Sequence, residues 1–96
     1  MRPSEAIRHH RDAIRRIAES HRVSNVRVFG STARGTDTEG SDLDLLVEPN
    51  DKTTLLDLAA ITVELKTLLG IEVDVLTPKS LPEKFRARVV SEALPV

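Results

Sequence analysis

Residues Val28 to Val47 read V-F-G-S-T-A-R-G-T-D-T-E-G-S-D-L-D-L-L-V. Two apolar runs flank a polar middle, so the stretch predicts a strand, a turn and a second strand. Val26-Arg27-Val28-Phe29 alternates as a short strand would and stops at Gly30. Gly35 to Ser41 consists of turn formers, and Leu43 to Val47 is apolar enough to lie in a core. Within an extended segment residues two apart share a face. Asp42 and Asp44 therefore point one way, and Leu43, Leu45 and Val47 point the other.

The same periodicity extends outward. Ser4 is placed as the N-cap of a helix to about Ser20, with Ile7, Ile14, Ile17 and Ala18 along its apolar side. A second helix spans about Thr53 to Leu69, its stripe made by Leu55, Leu58, Ala59, Leu65, Leu68 and Leu69. Leu55, Leu58, Leu65 and Leu69 are assigned to the core. Leu56 and Ile61 are candidates for a partner surface, with packing the preferred reading. Gly70 stands where a helix-ending glycine is expected. Ile71 to Leu76 alternates as a third strand. Ser80-Leu-Pro-Glu83 resembles a capping box opening a last helix, about Leu81 to Ala93. The order predicts one α/β (α+β) domain over residues 1–96: a small mixed sheet of three or four strands, with helices mainly on one face.

Composition narrows the function. The chain has 96 residues, no Cys, Trp or Tyr, and Phe29 and Phe85 as its only aromatics. Disulfides and thiolate metal sites are excluded. Stacking platforms for single-stranded nucleic acid are almost absent. No apolar run approaches the ~20 residues of a membrane span, so a soluble, cytoplasmic protein is expected. Residues 1–35 hold eight Arg against three acids, net +5; residues 36–96 hold six Lys or Arg against twelve acids, net −6. The basic first helix is a solvated face or a contact for nucleic acid, polyphosphate or an acidic partner. His9, His10 and His21 have no metal-ligand spacing to the acids and read as surface residues.

The polar middle carries the chemistry. Two neighbouring carboxylates repel unless a cation or water neutralises them, and oxygen ligands of this kind suit Mg²⁺. Asp74, a lone acid in V-D-V-L, completes a three-carboxylate cluster if its strand neighbours the D-x-D strand. Such a cluster could hold two metal ions for displacement at phosphorus. Gly30 lets backbone approach a ligand closely, and Ser31 to Arg34 can begin a short helix that favours phosphate. Arg34 is either a neighbour of the phosphate or metal site or a structural partner of Asp42 or Asp37. Gly30 and Gly35 have P-loop spacing, but Thr36-Asp37 replaces the required Lys-Ser/Thr. An EF-hand loop from Asp42 fails at Leu46. A glycosyltransferase-like D-x-D survives on the pair alone and leaves Gly30-Ser31 and Asp74 unexplained.

With these residues the chain resembles the minimal nucleotidyltransferases of the DNA polymerase β-like superfamily, the MNT antitoxins found beside HEPN toxins. The family motif is G-S, ten residues, then D-x-D. Here it is Gly30-Ser31, Thr32 to Ser41, then Asp42-Leu43-Asp44. Its fuller form also matches Ala33, Arg34, Gly35, Ser41, Leu45, Leu46 and Val47, and Asp74 matches the third carboxylate. The resemblance implies transfer of NMP, AMP from ATP, to a hydroxyl. Asp42 and Asp44 would hold two Mg²⁺ ions, and Gly30 and Ser31 the β- and γ-phosphates. Asp74 would bind the second metal and help deprotonate the acceptor. It further implies a HEPN-type toxin as partner, with a toxin tyrosine as acceptor and a possible hetero-oligomer with the toxin. The alternative is an antitoxin that neutralises by binding alone. No second domain to bind a nucleobase is apparent, which leaves acceptor choice to the partner.

Overall fold

A computed structural model describes residues Met1 to Val96. Its elements run α1 (Pro3–Glu19), β1 (Val23–Phe29), α2 (Gly30–Arg34), β2 (Leu43–Pro49), α3 (Leu55–Leu69), β3 (Val73–Leu76), a 3₁₀ turn (Pro78–Ser80), α4 (Glu83–Glu92) and β4 (Leu94–Pro95). The sheet order is β3-β2-β1-β4. β1 pairs antiparallel with both β2 and β4, while β2 and β3 are parallel and joined through α3. A parallel pair needs such a crossover, and α3 provides it.

Alternation along β2 builds the core. Leu43, Leu45 and Val47 are fully buried. They join Val26 and Val28 of β1 and Val73 and Val75 of β3, and this face is covered by Ala6, Ile7, Ile14 and Ala18 of α1 and Ile61, Leu65 and Leu69 of α3. Leu46 points the opposite way and is fully buried outside that cluster, where Leu81 is also buried. Two long helices thus cover one face, as expected, and the shorter α4 packs on α2, β1 and the 3₁₀ turn. No helix is long and apolar enough to cross a membrane.

Several boundaries differ from the sequence reading for identifiable reasons. Ser4 is not the N-cap of α1: Pro3 occupies the first turn, and the Glu5 carboxylate accepts the Arg2 N–H at 3.0 Å. Proline is preorganised for that position. β1 begins three residues early because Asn25, at φ 48°, makes a bulge that carries the strand past a register shift. A short polar side chain tolerates this left-handed backbone better than most. The last helix starts at Glu83 rather than Leu81, and Pro82 is the reason: the residue before a proline is driven out of the helical region. Leu81 is accordingly extended at φ −78°, ψ 142°. Ser80 instead closes the 3₁₀ turn, its Oγ accepting the Thr77 N–H at 2.9 Å. The fourth strand of the expected three or four is β4, at a place no pattern in the sequence marks.

Helix α3 shows the largest correction. Ile61, Leu65 and Leu69 are buried and Leu58 packs against them, whereas Leu55 is 83% exposed and Leu68 43%. The helix carries apolar residues around much of its circumference, so spacing alone does not choose the inward face. Ile61 packs, and Leu56 remains 81% exposed. Its start is well defined: the Thr54 Oγ1 accepts the Asp57 N–H at 3.3 Å, and the Asp57 carboxylate accepts the Thr54 N–H at 2.9 Å. Thr54→Ala is expected to lose about 1 kcal/mol. In thermal denaturation this lowers the midpoint by about 4–8 °C.

Candidate active site

β1 delivers the first half of the motif and β2 the second. Phe29 is opposite Asp44 in the antiparallel register, so the chain turns at Gly30 directly against the Asp44 side chain. Gly30 has φ 72°, and a Cβ built on it would lie 2.5 Å from Asp44 Oδ2. Only glycine adopts this backbone freely and leaves room for the carboxylate. Gly30 then opens α2, with half-buried Ser31 next, and Gly35 ends that helix at φ 76°. The two ends of a motif separated by ten residues therefore meet at one point.

β3 brings the third acid. Its parallel register places Asp74 beside Asp44, and the Leu43 N–H donates to the Glu72 carbonyl at 2.9 Å to fix that alignment. Asp44 is half-buried and Asp74 exposed. Burial pushes the Asp44 carboxyl up from 3.8 to about 6, and the negative charges of Asp74 and Asp42 push in the same direction. A hydrogen bond that protonated Asp44 donates to the Asp74 carboxylate adds to this, and the Arg34 guanidinium partly opposes it. Lys66 Nζ lies 2.7 Å from Glu72 Oε2, and this hydrogen bond and charge, followed by Asp74 and Asp42, raise the lysine above its ordinary value. Asp42 borders a cleft of about 260 Å³ together with Glu39, Ser41 and Glu72. A larger cleft, about 410 Å³, lies between Glu48–Asp51 and Pro78–Lys79 and contains none of the motif residues.

Residues 7–96 match the family model of the nucleotidyltransferase domain. The chain belongs to this family. A Methanocaldococcus jannaschii chain assigned as a protein adenylyltransferase is 43% identical over 80 residues, which are 83% of this chain and 86% of that one. A solved structure assigned as a minimal nucleotidyltransferase superposes with a TM-score of 0.86 at 42% identity, covering 97% of this chain and 95% of the other. The fold is also that of a chain in a toxin–antitoxin complex crystallised with AMP-PNP, with a TM-score of 0.74, 21% identity and coverage of 88% and 69%. The chain is an enzyme, a nucleotidyltransferase.

The acids of this nucleotidyltransferase fit a hard cation by their chemistry. Asp44, whose proton affinity burial and the charges of Asp74 and Asp42 raise, belongs to a donor set whose repulsion a divalent ion relieves. No group of three His, Asp or Glu side chains closes into a complete protein-only metal site. The expected three-carboxylate cluster is thus an in-register pair, Asp44 and Asp74, with Asp42 two residues along the chain. That is compatible with Mg²⁺, which takes one or two protein carboxylates and completes its shell with phosphate and water.

Of the two readings of Arg34, pairing with Asp42 or Asp37 is not seen: its partner is Glu92 of α4 at 3.7 Å, while its charge acts on Asp44 as a neighbour of the acids. The last turn of α4 thus lies within reach of α2, a tertiary contact that local spacing does not encode. His9 is exposed, His10 lies at a kink in α1, and His21 pairs with Glu64. In the sequence Asp37 offers only a partner for Arg34. It is instead a buried acid whose carboxylate accepts the Ser4 N–H at 2.8 Å. Its turn-rich neighbourhood gave no sign of burial.

Proposed function

We propose that this nucleotidyltransferase transfers AMP from ATP to a hydroxyl of a partner protein, a tyrosine of a HEPN-type toxin, and so acts as that toxin's antitoxin. The supporting observation is the contact of Gly30 with Asp44 and the pairing of Asp44 with Asp74. It puts the Gly30 backbone turn and a carboxylate pair at one point. The likeness to an adenylyltransferase relative and to a toxin–antitoxin chain crystallised with AMP-PNP supports the same reading.

In this mechanism Gly30 and Ser31 bind the β- and γ-phosphates through backbone N–H groups and the Ser31 hydroxyl, which orients the α-phosphorus. Asp42 and Asp44, with Asp74 beside them, would hold two Mg²⁺ ions, which supply charge neutralisation for the departing pyrophosphate. The acceptor hydroxyl oxygen attacks the α-phosphorus, and the bond from that phosphorus to the bridging oxygen breaks. An Asp74 carboxylate oxygen takes the hydroxyl proton. Catalysis is chiefly positioning and electrostatics. Arg34, exposed and loosely paired with Glu92, is a further candidate for a phosphate oxygen. Neutralisation by masking alone is the second reading. It draws on the exposed apolar face of α3, where Leu55, Leu56 and Val63 are 83%, 81% and 63% exposed.

The nucleotide preference is tested by pyrophosphate release with each NTP, Mg²⁺ and the toxin. Release with ATP alone supports the proposal, and release with none refutes it. The pH dependence has a definite sign. A cation must displace the proton from Asp44, whose carboxyl titrates near 6. Affinity for Mn²⁺, used as a calorimetric probe, is expected to rise about fourfold between about pH 5.5 and about pH 7.5, with proton release. A flat profile would mean that Asp44 is not a ligand.

A further inference from the structure

Two halves of a motif act together only if the ten residues between them hold a fixed spacing. Each end of this connection is secured by its own bonds. At the first, the Gly35 N–H donates to the Thr32 carbonyl at 3.3 Å and the Thr36 N–H to the Ser31 carbonyl at 2.9 Å. At the second, the Ser41 N–H donates to the Thr38 carbonyl at 3.0 Å, while Ser41 Oγ accepts the Thr38 N–H at 2.8 Å. Between them is Asp37, the one charged side chain buried in the fold, 7% exposed. Its Oδ2 accepts the Ser4 N–H at 2.8 Å. That N–H belongs to the first turn of α1, where helical amides lack partners and the helix dipole favours a negative charge.

The bond joins parts of the chain 33 residues apart. α1 lies on the core face of the sheet, anchored by fully buried Ala6, Ile14 and Ala18. Asp37 therefore ties a loop made of turn formers to a fixed element of the core. Burial alone would raise its carboxyl, but hydrogen bonds from the Ser4 backbone and hydroxyl outweigh it and hold the group below its usual range. The acid is thus ionised at neutral pH and bound, whereas a loop with no positional task would leave it in water.

We propose that Asp37 is a positioning residue for transfer: by binding the amino end of α1 it fixes the distance between Gly30–Ser31 and Asp42–Asp44. The inference rests on the nucleotidyl-transfer reading above, yet part of its test does not. Asp37→Ala should speed amide hydrogen exchange at residues 36–42 about tenfold while amides in the middle of β1 and β2 keep their protection. Assayed well below its melting temperature, it should show kcat about tenfold lower per folded molecule, with the KM for ATP changed less than about threefold. Asp37→Asn keeps an oxygen acceptor for the Ser4 N–H and should restore most of the rate.

Asp37→Ser keeps a small polar side chain too short to reach the Ser4 N–H and should reproduce the loss if Asp37→Ala does not fold. Unchanged loop exchange in the folded variants would overturn the proposal. So would wild-type kcat with only a lower melting temperature, which would make Asp37 a cap for α1 and nothing more. A wild-type protein that transfers no nucleotide would refute the function reading, and the exchange measurement would still decide the role of Asp37.

Discussion

Replacing Asp42 and Asp44 together by asparagine is expected to cut nucleotidyl transfer by at least about 10²-fold, the scale of losing a principal electrostatic stabiliser. The fold should not suffer. Asp44 lies against Gly30 and beside Asp74, and burial together with the neighbouring carboxylates raises its titration to about 6 from 3.8. A raised folded-state value means that this group's favourable contribution is complete below 3.8 and is lost as pH rises through about 6. Above that pH the metal-free protein carries a penalty. Because the side chain is half-exposed, screening reduces it to about 1 kcal/mol. Asp44→Asn removes the charge, so at about pH 7.5 the metal-free variant should melt about 4–8 °C above wild type while its transfer is lost. A melting point well below wild type would mean that Asp44 is held by structural bonds rather than strained for function.

Gly30→Ala is expected to be nearly as damaging to activity by a steric route. At φ 72° an alanine pays about 1–2 kcal/mol for left-handed backbone. Its Cβ would also stand 2.5 Å from Asp44 Oδ2, forcing the carboxylate or the turn to move. A displacement of about 1 Å at reacting groups costs on the order of 10²-fold. Transfer should therefore fall by about that factor, with stability reduced by about 1–2 kcal/mol in denaturant titration. Gly35 offers the control: its φ is 76°, but a Cβ there meets nothing within 4 Å. Gly35→Ala should lose comparable stability and keep most of its transfer rate. Equal activity losses at the two positions would point to backbone strain alone.

The placement of the candidate site's residues is legible because its signals are local. Strand alternation put Asp42 and Asp44 on one face and Leu43 and Leu45 on the other, and the short V-D-V-L run marked Asp74 as a strand acid. That β2 and β3 are neighbours stood in the sequence only as a condition, and the parallel pairing across the α3 crossover meets it. What escaped the sequence depends on tertiary choice. α3 has apolar residues at Leu55, Leu56, Val63 and Leu68 as well as at Ile61 and Leu65, so its inward face is set by packing on α1 and β3. β4 is two residues long and includes a proline, too short for any period to appear. Asp37 and Glu92 resemble surface acids until the fold brings Ser4 and Arg34 to them.

The central claim is that Gly30, Asp42, Asp44 and Asp74 form a working transferase rather than an incidental constellation on a binding protein. The most direct measurement is the intact mass of the toxin after incubation with the wild-type chain, ATP and Mg²⁺, beside the Asp42→Asn/Asp44→Asn variant. The account predicts a toxin heavier by AMP units with wild type, placed by fragmentation on a tyrosine, and unmodified toxin that stays active with the variant. A toxin neutralised equally by both proteins, with no change in mass, would contradict it.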